Sequence, residues 1–191
     1  MANGGCDYNY TNNSQPYTAS EINARFVAYL ILMVSSTFAN TLVIITFIIE
    51  RSLCTTFNIF ILNLAIIDLI TSIFRMGFNT ILIGTATGVP WPYGQPLCDF
   101  DGVIQSFVHI ANIYILMAIA ICRYIAIVLS KSHLITKKVI YIIMAVIWVA
   151  SMTVSLMPVF GWNRYCYQPD EFACLIDWYY ESSFSIFAII Y

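Results

Sequence analysis

The sequence predicts an all-α membrane protein, and two observations carry this prediction. Of the 191 residues, 60% are hydrophobic and only 9% are charged, and the mean hydropathy is +0.80. A soluble domain carries roughly 25% charged residues, and one core of this size cannot hide so much apolar surface from water. The apolar residues also fall into stretches that approach or exceed the roughly 20 residues a helix needs to cross a bilayer.

The amino-terminal stretch, residues 1–24, is polar and lacks the apolar core of a signal peptide. Asn9 and Asn12 each begin an acceptor sequon for N-glycosylation. Short polar tails also contain such sequons by chance. If they are used, they place the tail outside the cell, because glycans are added on the lumenal side. We therefore expect an extracellular glycosylated tail over residues 1–24.

Four long apolar stretches and the start of a fifth predict the membrane spans. Residues 26–49 contain no charge, and at about 1.5 Å per residue they cover roughly 36 Å, enough to cross a bilayer core. The other stretches cover about residues 57–83, 100–129 and 139–160. The last begins near residue 182 and is still apolar at residue 191. We therefore expect residues 25–191 to form a partial transmembrane domain that ends inside a helix.

The placement of charge predicts the orientation. Basic residues occupy the connections on one side of the membrane: Arg51, Lys131, Lys137 and Lys138, with Arg123 at the border. Acidic residues dominate the other side: Asp7, Glu21, Asp99, Asp170, Glu171, Asp177 and Glu181. Positive charge is retained in the cytoplasm during insertion. The pattern predicts a multi-pass protein of the plasma membrane with an extracellular amino terminus.

Several polar side chains lie inside the apolar stretches, namely Asn40, Asn63, Asp68 and Asn112. A buried polar group in a bilayer costs several kcal/mol unless it is satisfied. One interpretation is that these groups form hydrogen bonds between helices, each contributing about 0.6–2 kcal/mol. The other is a hydrated pocket in which Asp68, with Asn40 and Asn112, holds water or a sodium ion. The two interpretations are compatible.

These residues resemble the motifs of the rhodopsin-like (class A) G-protein-coupled receptor family, in order and spacing along the whole chain. The matching residues are Ala39-Asn40, Asn63-Leu64-Ala65 with Asp68, Cys98, Cys122-Arg123-Tyr124, Trp148 and Cys174. The resemblance implies the amino-terminal four to five helices of a seven-helix bundle. It also implies a disulfide between Cys98 and Cys174 that ties the third helix to the second outer loop.

The resemblance further implies coupling to a heterotrimeric G protein. Arg123 and Tyr124 would form the activation switch, and Asp68 would line the internal ion and water site. Cys122 departs from the pattern, because the family has an acid there that pairs with the arginine. Losing a restraint on the inactive state shifts the equilibrium towards the active state, so we expect raised basal activity.

Within the family, the opsins are the most similar. Trp91-Pro92-Tyr93-Gly94 resembles a motif before the third-helix cysteine, and Gly161-Trp162-Asn163-Arg164-Tyr165 with Asp177 resembles the second outer loop. Opsins bind retinal through a Schiff base on a lysine of the seventh helix. The lysines of this chain all lie on the cytoplasmic side. No cofactor is therefore expected for these residues alone, and retinal requires a lysine on a seventh helix.

Asp101 lies three residues after Cys98, where some opsins carry the counterion of the Schiff base. The other counterion position aligns with Gln168, with Asp170 and Glu171 nearby. Alternatively, Asp101 forms an ion pair with Arg75, since a charge this deep needs a partner. Gln105 stands where amine receptors carry an aspartate, so the ligand pocket is left open to peptide, lipid or other small ligands.

Other function classes have less support. A channel or transporter subunit would use Asp68 to line a permeation path, but no repeated halves are visible. An enzyme is not expected, since His109 and His133 stand alone and no metal-ligand cluster is present in the sequence. We interpret His109 as a packed or hydrogen-bonded helix residue. Beyond the G protein and the lipid bilayer, we expect sodium as a candidate partner and no nucleic acid.

The remaining cysteines divide by side of the membrane. Cys54 and Cys122 face the cytoplasm or the membrane and are expected to be free thiols. Cys6 and Cys166 are both external and are therefore able to pair, although their spacing does not argue for it.

Overall fold

The protein is described here by a computed structural model, which covers residues 18–85, 93–168 and 171–177. The helices are α1 (Ala19–Ile49), α2 (Asn58–Ile70), α3 (Gly77–Thr85), α4 (Gln95–Ile127) and α5 (Lys137–Leu156). A π-helical segment, Thr71–Met76, joins α2 to α3, and two short 3-10 helices cover Arg51–Leu53 and Ser132–Leu134. Two strands follow, β1 (Tyr165–Gln168) and β2 (Ala173–Ile176).

Among the described residues, four helical stretches are long and apolar enough to cross a membrane. We call them the first span (α1), the second span (Asn58–Gly84), the third span (α4) and the fourth span (α5). The predicted all-α membrane class is confirmed. The predicted fifth stretch, residues 182–191, lies outside the described residues.

The helix ends differ from the apolar stretches because capping, not hydrophobicity, sets them. The first span begins at Ala19, before its apolar stretch, because Thr18 and Glu21 form a capping box. The fourth span begins at Lys137, where the Thr136 hydroxyl accepts a hydrogen bond from the N–H of Val139. It ends at Leu156, two residues before Pro158, whose ring disfavours helix in the preceding residue.

The second span is continuous but not uniform. Its middle residues, Thr71–Met76, are π-helical, and such widened turns are frequent at functional sites. Each π turn rotates the following residues relative to a regular α-helix. The position of Arg75 relative to Asp68 therefore does not follow from counting α-helical turns.

The bundle core lies along the third span, which packs against both the second and fourth spans. Its side chains are apolar and fully covered, as shown by Phe60, Ile67, Ala111, Ile115 and Ile140. The first span contains no buried residue and packs on the second, where the hydroxyls of Thr37 and Ser72 are 3.1 Å apart. Exposed apolar side chains cover the outer faces, as expected for surfaces in contact with lipid.

The two strands form an antiparallel hairpin that packs against α4. Tyr165 pairs with Ile176, and Gln168 pairs with Ala173. We call the two strands and the described residues between them the outer hairpin. Its connecting residues 169 and 170 lie outside the described residues.

Candidate functional site

The outer hairpin is fixed to the third span by a disulfide. Cys98 and Cys174 are bonded, with their Cα atoms 5.4 Å apart, and both side chains are almost fully covered. This confirms the disulfide that the family resemblance implied. Because Cys174 lies in β2 and Cys98 in the first turn of α4, one strand of the hairpin is held directly over the end of the third span.

Tyr165 extends from the hairpin into the bundle. Its hydroxyl donates to the backbone carbonyl of Ser155 at 2.8 Å and contacts the Ser106 hydroxyl at 3.1 Å. The side chain is 0% exposed, and burial raises the pKa of Tyr165 to about 12. The ring lies directly on Gly102, where any Cβ atom would collide with it. A glycine at this position of α4 is therefore required by the tyrosine.

An ion pair joins the two ends of the outer hairpin. The Arg164 guanidinium donates from Nε at 3.0 Å and from Nη2 at 2.9 Å to the same carboxylate oxygen of Asp177. The backbone N–H of Asp177 also donates to the carbonyl of Arg164 at 3.1 Å. Both side chains are only partly exposed, so this pair is screened less than one on an open surface.

Asp101 is buried beneath the hairpin, with 2% of its surface exposed. Its carboxylate accepts a hydrogen bond from the backbone N–H of Cys174 at 2.9 Å and another from the Gln105 amide at 3.3 Å. The other amide atom, Oε1 of Gln105, is buried without a hydrogen-bond partner among the described residues. The structure thus places an acid and a neighbouring amide acceptor at the hairpin end of the third span.

The predicted direct ion pair between Arg75 and Asp101 is not formed among the described residues. The Arg75 guanidinium instead forms a hydrogen bond with Nε2 of His109 at 3.1 Å. The physical reason is that the carboxylate is already bound by Cys174 and Gln105. The counterion role of Asp101 stays a prediction, and His109 is hydrogen-bonded as expected.

A second polar contact holds the hairpin to the second span. In the amide orientation that satisfies both neighbours, Nδ2 of Asn79 donates to the carbonyl of Phe172 at 3.1 Å and to that of Arg75 at 3.2 Å. Asn79 is 1% exposed. The hairpin is therefore tied to the second span by Asn79 and to the third span by Asp101 and the disulfide.

Deeper in the bundle, two of the three predicted ion-site residues come together. Asp68 of the second span interacts with Asn112 of the third, and Oδ1 of Asn112 is buried without a partner in the described part of the chain. Asn40 instead donates to the carbonyl and hydroxyl of Ser36 in its own helix. Asn63 likewise donates within its helix, to Ile59. The sodium or water site stays a prediction.

The opposite end of the third span carries the Cys122-Arg123-Tyr124 triplet. Cys122 is a free thiol within the core, whereas the side chains of Arg123 and Tyr124 are exposed. Counting 25 residues from Cys98, the triplet lies roughly 37 Å along the helix axis at 1.5 Å per residue. One rigid helix therefore joins the outer hairpin to this triplet. Trp148 supports the helix through an edge contact with Phe107, at 5.5 Å between ring centroids.

The sequence did not predict the buried contacts of Tyr165 or the hydrogen bonds by which Asn79 holds the hairpin. A signal was present for the first, since the outer-loop motif ends at this tyrosine, but nothing pointed to Gly102 or Ser155 as its partners. Asn79 is one polar residue among apolar ones, and its partner is a backbone carbonyl that no pattern marks.

Several predicted features lie outside the described residues. These are the sequons at Asn9 and Asn12, the Trp91-Pro92 pair, Asp170 and Cys6. The alternative counterion position, Gln168, is described and ends strand β1. Gln95, which the sequence did not single out, links the span to the hairpin by donating to the Tyr165 carbonyl at 2.9 Å.

Comparison with known proteins bears on this arrangement directly. Residues 39–191 match the model of the "7 transmembrane receptor (rhodopsin family)". Neuropeptide FF receptor 2 of Mus musculus is 32% identical, over 75% of this chain and 38% of the receptor. The GQ-coupled rhodopsin of Mizuhopecten yessoensis is 30% identical, over 73% of this chain and 28% of the rhodopsin. The structure of squid rhodopsin has a TM-score of 0.79 at 22% identity, covering 91% of this chain and 48% of that one.

The fold and the matched family define an integral membrane receptor. The chain belongs to the rhodopsin family of seven-transmembrane receptors, the class A G-protein-coupled receptors. It spans about a third of the length of the curated relatives named above. Those relatives are receptors, not enzymes: one is named as a neuropeptide receptor and the other as a rhodopsin.

Proposed function

We propose that the chain is the amino-terminal part of a receptor that passes a stimulus from the outside of the cell to a heterotrimeric G protein. The observation that carries this proposal is the third span. At one end it is bonded to the outer hairpin through Cys98, and at the other it exposes Arg123. A stimulus that displaces the hairpin or the buried groups beneath it acts on the same helix that presents the arginine.

The orientation in the plasma membrane is part of the proposal. Lys131, Lys137 and Lys138 are exposed at the Arg123 end of the bundle, and cytoplasmic loops carry an excess of such residues. The hairpin end carries the disulfide, which forms in oxidising compartments. Both features support an extracellular amino terminus and a cytoplasmic triplet.

For the stimulus, the proposal is light absorbed by retinal, as in the opsins that the outer-loop motif resembles. Asp101 supports it, because a buried acid at the outer end of the third span can stabilise a ligand cation such as a protonated Schiff base. The same carboxylate is held in place by the N–H of Cys174. The lysine needed for the Schiff base would belong to a seventh helix.

A second candidate is a receptor for a diffusible peptide, lipid or other small ligand. Two observations favour it: the similarity to a neuropeptide receptor, and the two hydrogen bonds that already engage Asp101. The unpartnered Oε1 of Gln105 is then available to accept a hydrogen bond from a ligand donor. An amine ligand loses its usual anchor because Gln105 is uncharged.

The full-length receptor, purified after incubation with 11-cis-retinal, distinguishes the two candidates. The photoreceptor proposal predicts a visible absorption band, and a large shift of that band in Asp101→Asn. Asp99→Asn is the matched control, since Asp99 contacts Gln95 rather than the buried site and should leave the band unchanged. Absence of any visible band would exclude the photoreceptor and leave the diffusible-ligand receptor.

G-protein coupling is tested separately, by nucleotide exchange on a purified G protein. Arg123→Ala should abolish exchange, because the arginine would contact the G protein in the active state. Lys137→Ala, at the start of the fourth span, removes a cytoplasmic charge outside the triplet and should retain exchange. Equal exchange by wild type and Arg123→Ala would contradict the proposed switch.

A further inference from the structure

Phe172, in the turn that leads into strand β2, has a backbone conformation that residues with a side chain rarely adopt. Its φ angle is +51°, in the left-handed region, where the Cβ atom comes too close to the following carbonyl oxygen. For a bulky residue such an angle is an outlier, and it persists only when the surrounding structure holds it. The turn of the outer hairpin is therefore a strained element that needs contacts from the bundle.

The Asn79 amide supplies one such contact. In the amide orientation that satisfies both neighbours, Nδ2 donates to the carbonyl of Phe172 at 3.1 Å and to that of Arg75 at 3.2 Å. Asn79 is 1% exposed and Phe172 is 7% exposed. A buried carbonyl that loses its donor carries the full cost of desolvation. One side chain of the second span thus stabilises both the strained turn and a carbonyl of its own helix.

The carbonyl of Arg75 belongs to the π-helical segment Thr71–Met76. Such segments are rare and occur frequently at functional sites. Asn79 follows the segment in α3, so it lies where the hairpin contacts the irregular part of the second span. Both elements that the amide joins depart from regular geometry, and backbone strain of this kind is common in switch regions.

We propose that Asn79 is a positioning residue that couples the outer hairpin to the second span. While its amide bridges the two carbonyls, Phe172 keeps its positive φ angle and Thr71–Met76 stays π-helical. When the hairpin moves, the bridge breaks and both elements relax together. A stimulus at the hairpin thus reaches the second span by a route separate from the disulfide to the third span. Its consequence for signalling rests on the proposed receptor function, whereas the coupling itself does not.

Amide hydrogen exchange of the purified full-length receptor tests the coupling, because exchange reports local opening. Asn79→Leu is close in volume and removes both donors, so we expect several-fold faster exchange in residues 173–176 and in residues 71–76. Thr80→Val is the matched control, since the Thr80 hydroxyl donates within its own helix, to the Met76 carbonyl. It should leave residues 173–176 at the wild-type rate. Wild-type exchange of these residues in Asn79→Leu, or an equal rise in both variants, would overturn the proposal.

A double substitution distinguishes coupling from a merely structural role. Phe172→Ala loosens the turn from the hairpin side and should speed the exchange of residues 71–76 in the second span. In the Asn79→Leu background the same substitution should add nothing there, because the bridge is already broken. Additive effects of the two substitutions on residues 71–76 would contradict a coupling through Asn79.

The strain at Phe172 is tested without changing Asn79. Phe172→Ala and Phe172→Gly both remove the ring, but only glycine adopts a positive φ angle without steric cost. We expect Phe172→Gly to unfold at a higher temperature than Phe172→Ala and to exchange residues 71–76 more slowly. At an ordinary position glycine is the less stable of the two, and that order would overturn the proposal. This pair decides even if Asn79→Leu fails to fold. No ligand or G protein is used, so failure here leaves the proposed function standing.

Discussion

The carboxylate of Asp101 accepts a hydrogen bond from the backbone N–H of Cys174 at 2.9 Å, 73 residues apart in the chain. The same cysteine is covalently bonded to Cys98, three residues before the acid. The outer hairpin is thus fixed to one turn of the third span by a covalent bond and by a hydrogen bond to the Asp101 carboxyl group. This double attachment makes the acid a structural residue as well as a candidate counterion.

Replacing Asp101 separates these two roles. Asp101→Ala leaves the buried N–H of Cys174 unpaired and should lower stability by about 1–3 kcal/mol. Asp101→Asn keeps an acceptor oxygen and should lose less. Thermal unfolding of the full-length receptor in detergent measures both, with Asp99→Ala as a control that should change little. Equal losses in Asp101→Ala and Asp99→Ala would contradict the attachment.

Gly102 is expected to be intolerant of any side chain. A Cβ at this position collides with the Tyr165 ring, and overpacking of this kind costs about 1–3 kcal/mol. Gly77→Ala is the control, because its Cβ would meet only the Met33 sulfur at an ordinary 3.9 Å. We expect Gly102→Ala to unfold at a lower temperature than wild type. A Gly102→Ala receptor as stable as Gly77→Ala would show that the tyrosine is not seated as described.

The hydroxyl of Tyr165 should contribute to stability through its hydrogen bonds to Ser155 and Ser106. Tyr165→Phe removes them, leaves the ring in place and exposes no new surface. A net cost of about 0.5–1.5 kcal/mol is expected for each hydrogen bond lost. Chemical unfolding of the purified receptor measures the free energy of unfolding of wild type and Tyr165→Phe. The neighbouring substitution Tyr167→Phe is the control.

The hydroxyl of Tyr165 also predicts that the receptor loses stability at high pH. Burial raises the pKa of Tyr165 from 10.0 to about 12, so the unfolded chain ionises first as the pH rises. The stability that the neutral hydroxyl contributes is complete below pH 10 and is lost between pH 10 and 12. The melting-temperature difference between wild type and Tyr165→Phe should therefore shrink over this interval. A constant difference would indicate a hydroxyl with an ordinary pKa.

Cys122 is predicted to raise basal signalling. It is a free, covered thiol beside Arg123, where the family has an acid that restrains the arginine. Cys122→Asp restores a carboxylate and should lower G-protein nucleotide exchange in the unstimulated full-length receptor. Cys54→Ser removes the other free thiol that the structure describes and should leave exchange unchanged. Undiminished exchange in Cys122→Asp would mean that the missing acid does not set the basal state.

The transmembrane architecture followed from the sequence because lipid imposes length and apolarity on every span, and both are readable without coordinates. The disulfide of Cys98 followed from motif order. The contact of Arg75 with His109 did not, because Arg75 lies in a π-helical segment, whose turns are wider than those of an α-helix, and no periodicity in the sequence marks such a segment.

The contacts of the outer hairpin were equally inaccessible. Asp101 was recognised as a candidate site residue, but its partner is a backbone N–H, and every residue offers one. The Tyr165 ring packs on Gly102, which has no side chain. Its hydroxyl donates to the backbone carbonyl of Ser155. Interactions of this kind depend on how the chain returns across the bundle, which local patterns do not encode.

Selective labelling on intact cells tests the central claim, that the hairpin end of the bundle faces outward and the Arg123 end faces the cytoplasm. The full-length receptor carries an amino-terminal tag and a new cysteine, Ser132→Cys, in the exposed connection between the third and fourth spans. With an impermeant antibody and an impermeant thiol reagent, the account predicts a labelled tag on intact cells and labelling of the new cysteine only after permeabilisation. Labelling of the new cysteine on intact cells, with a protected tag, would contradict it.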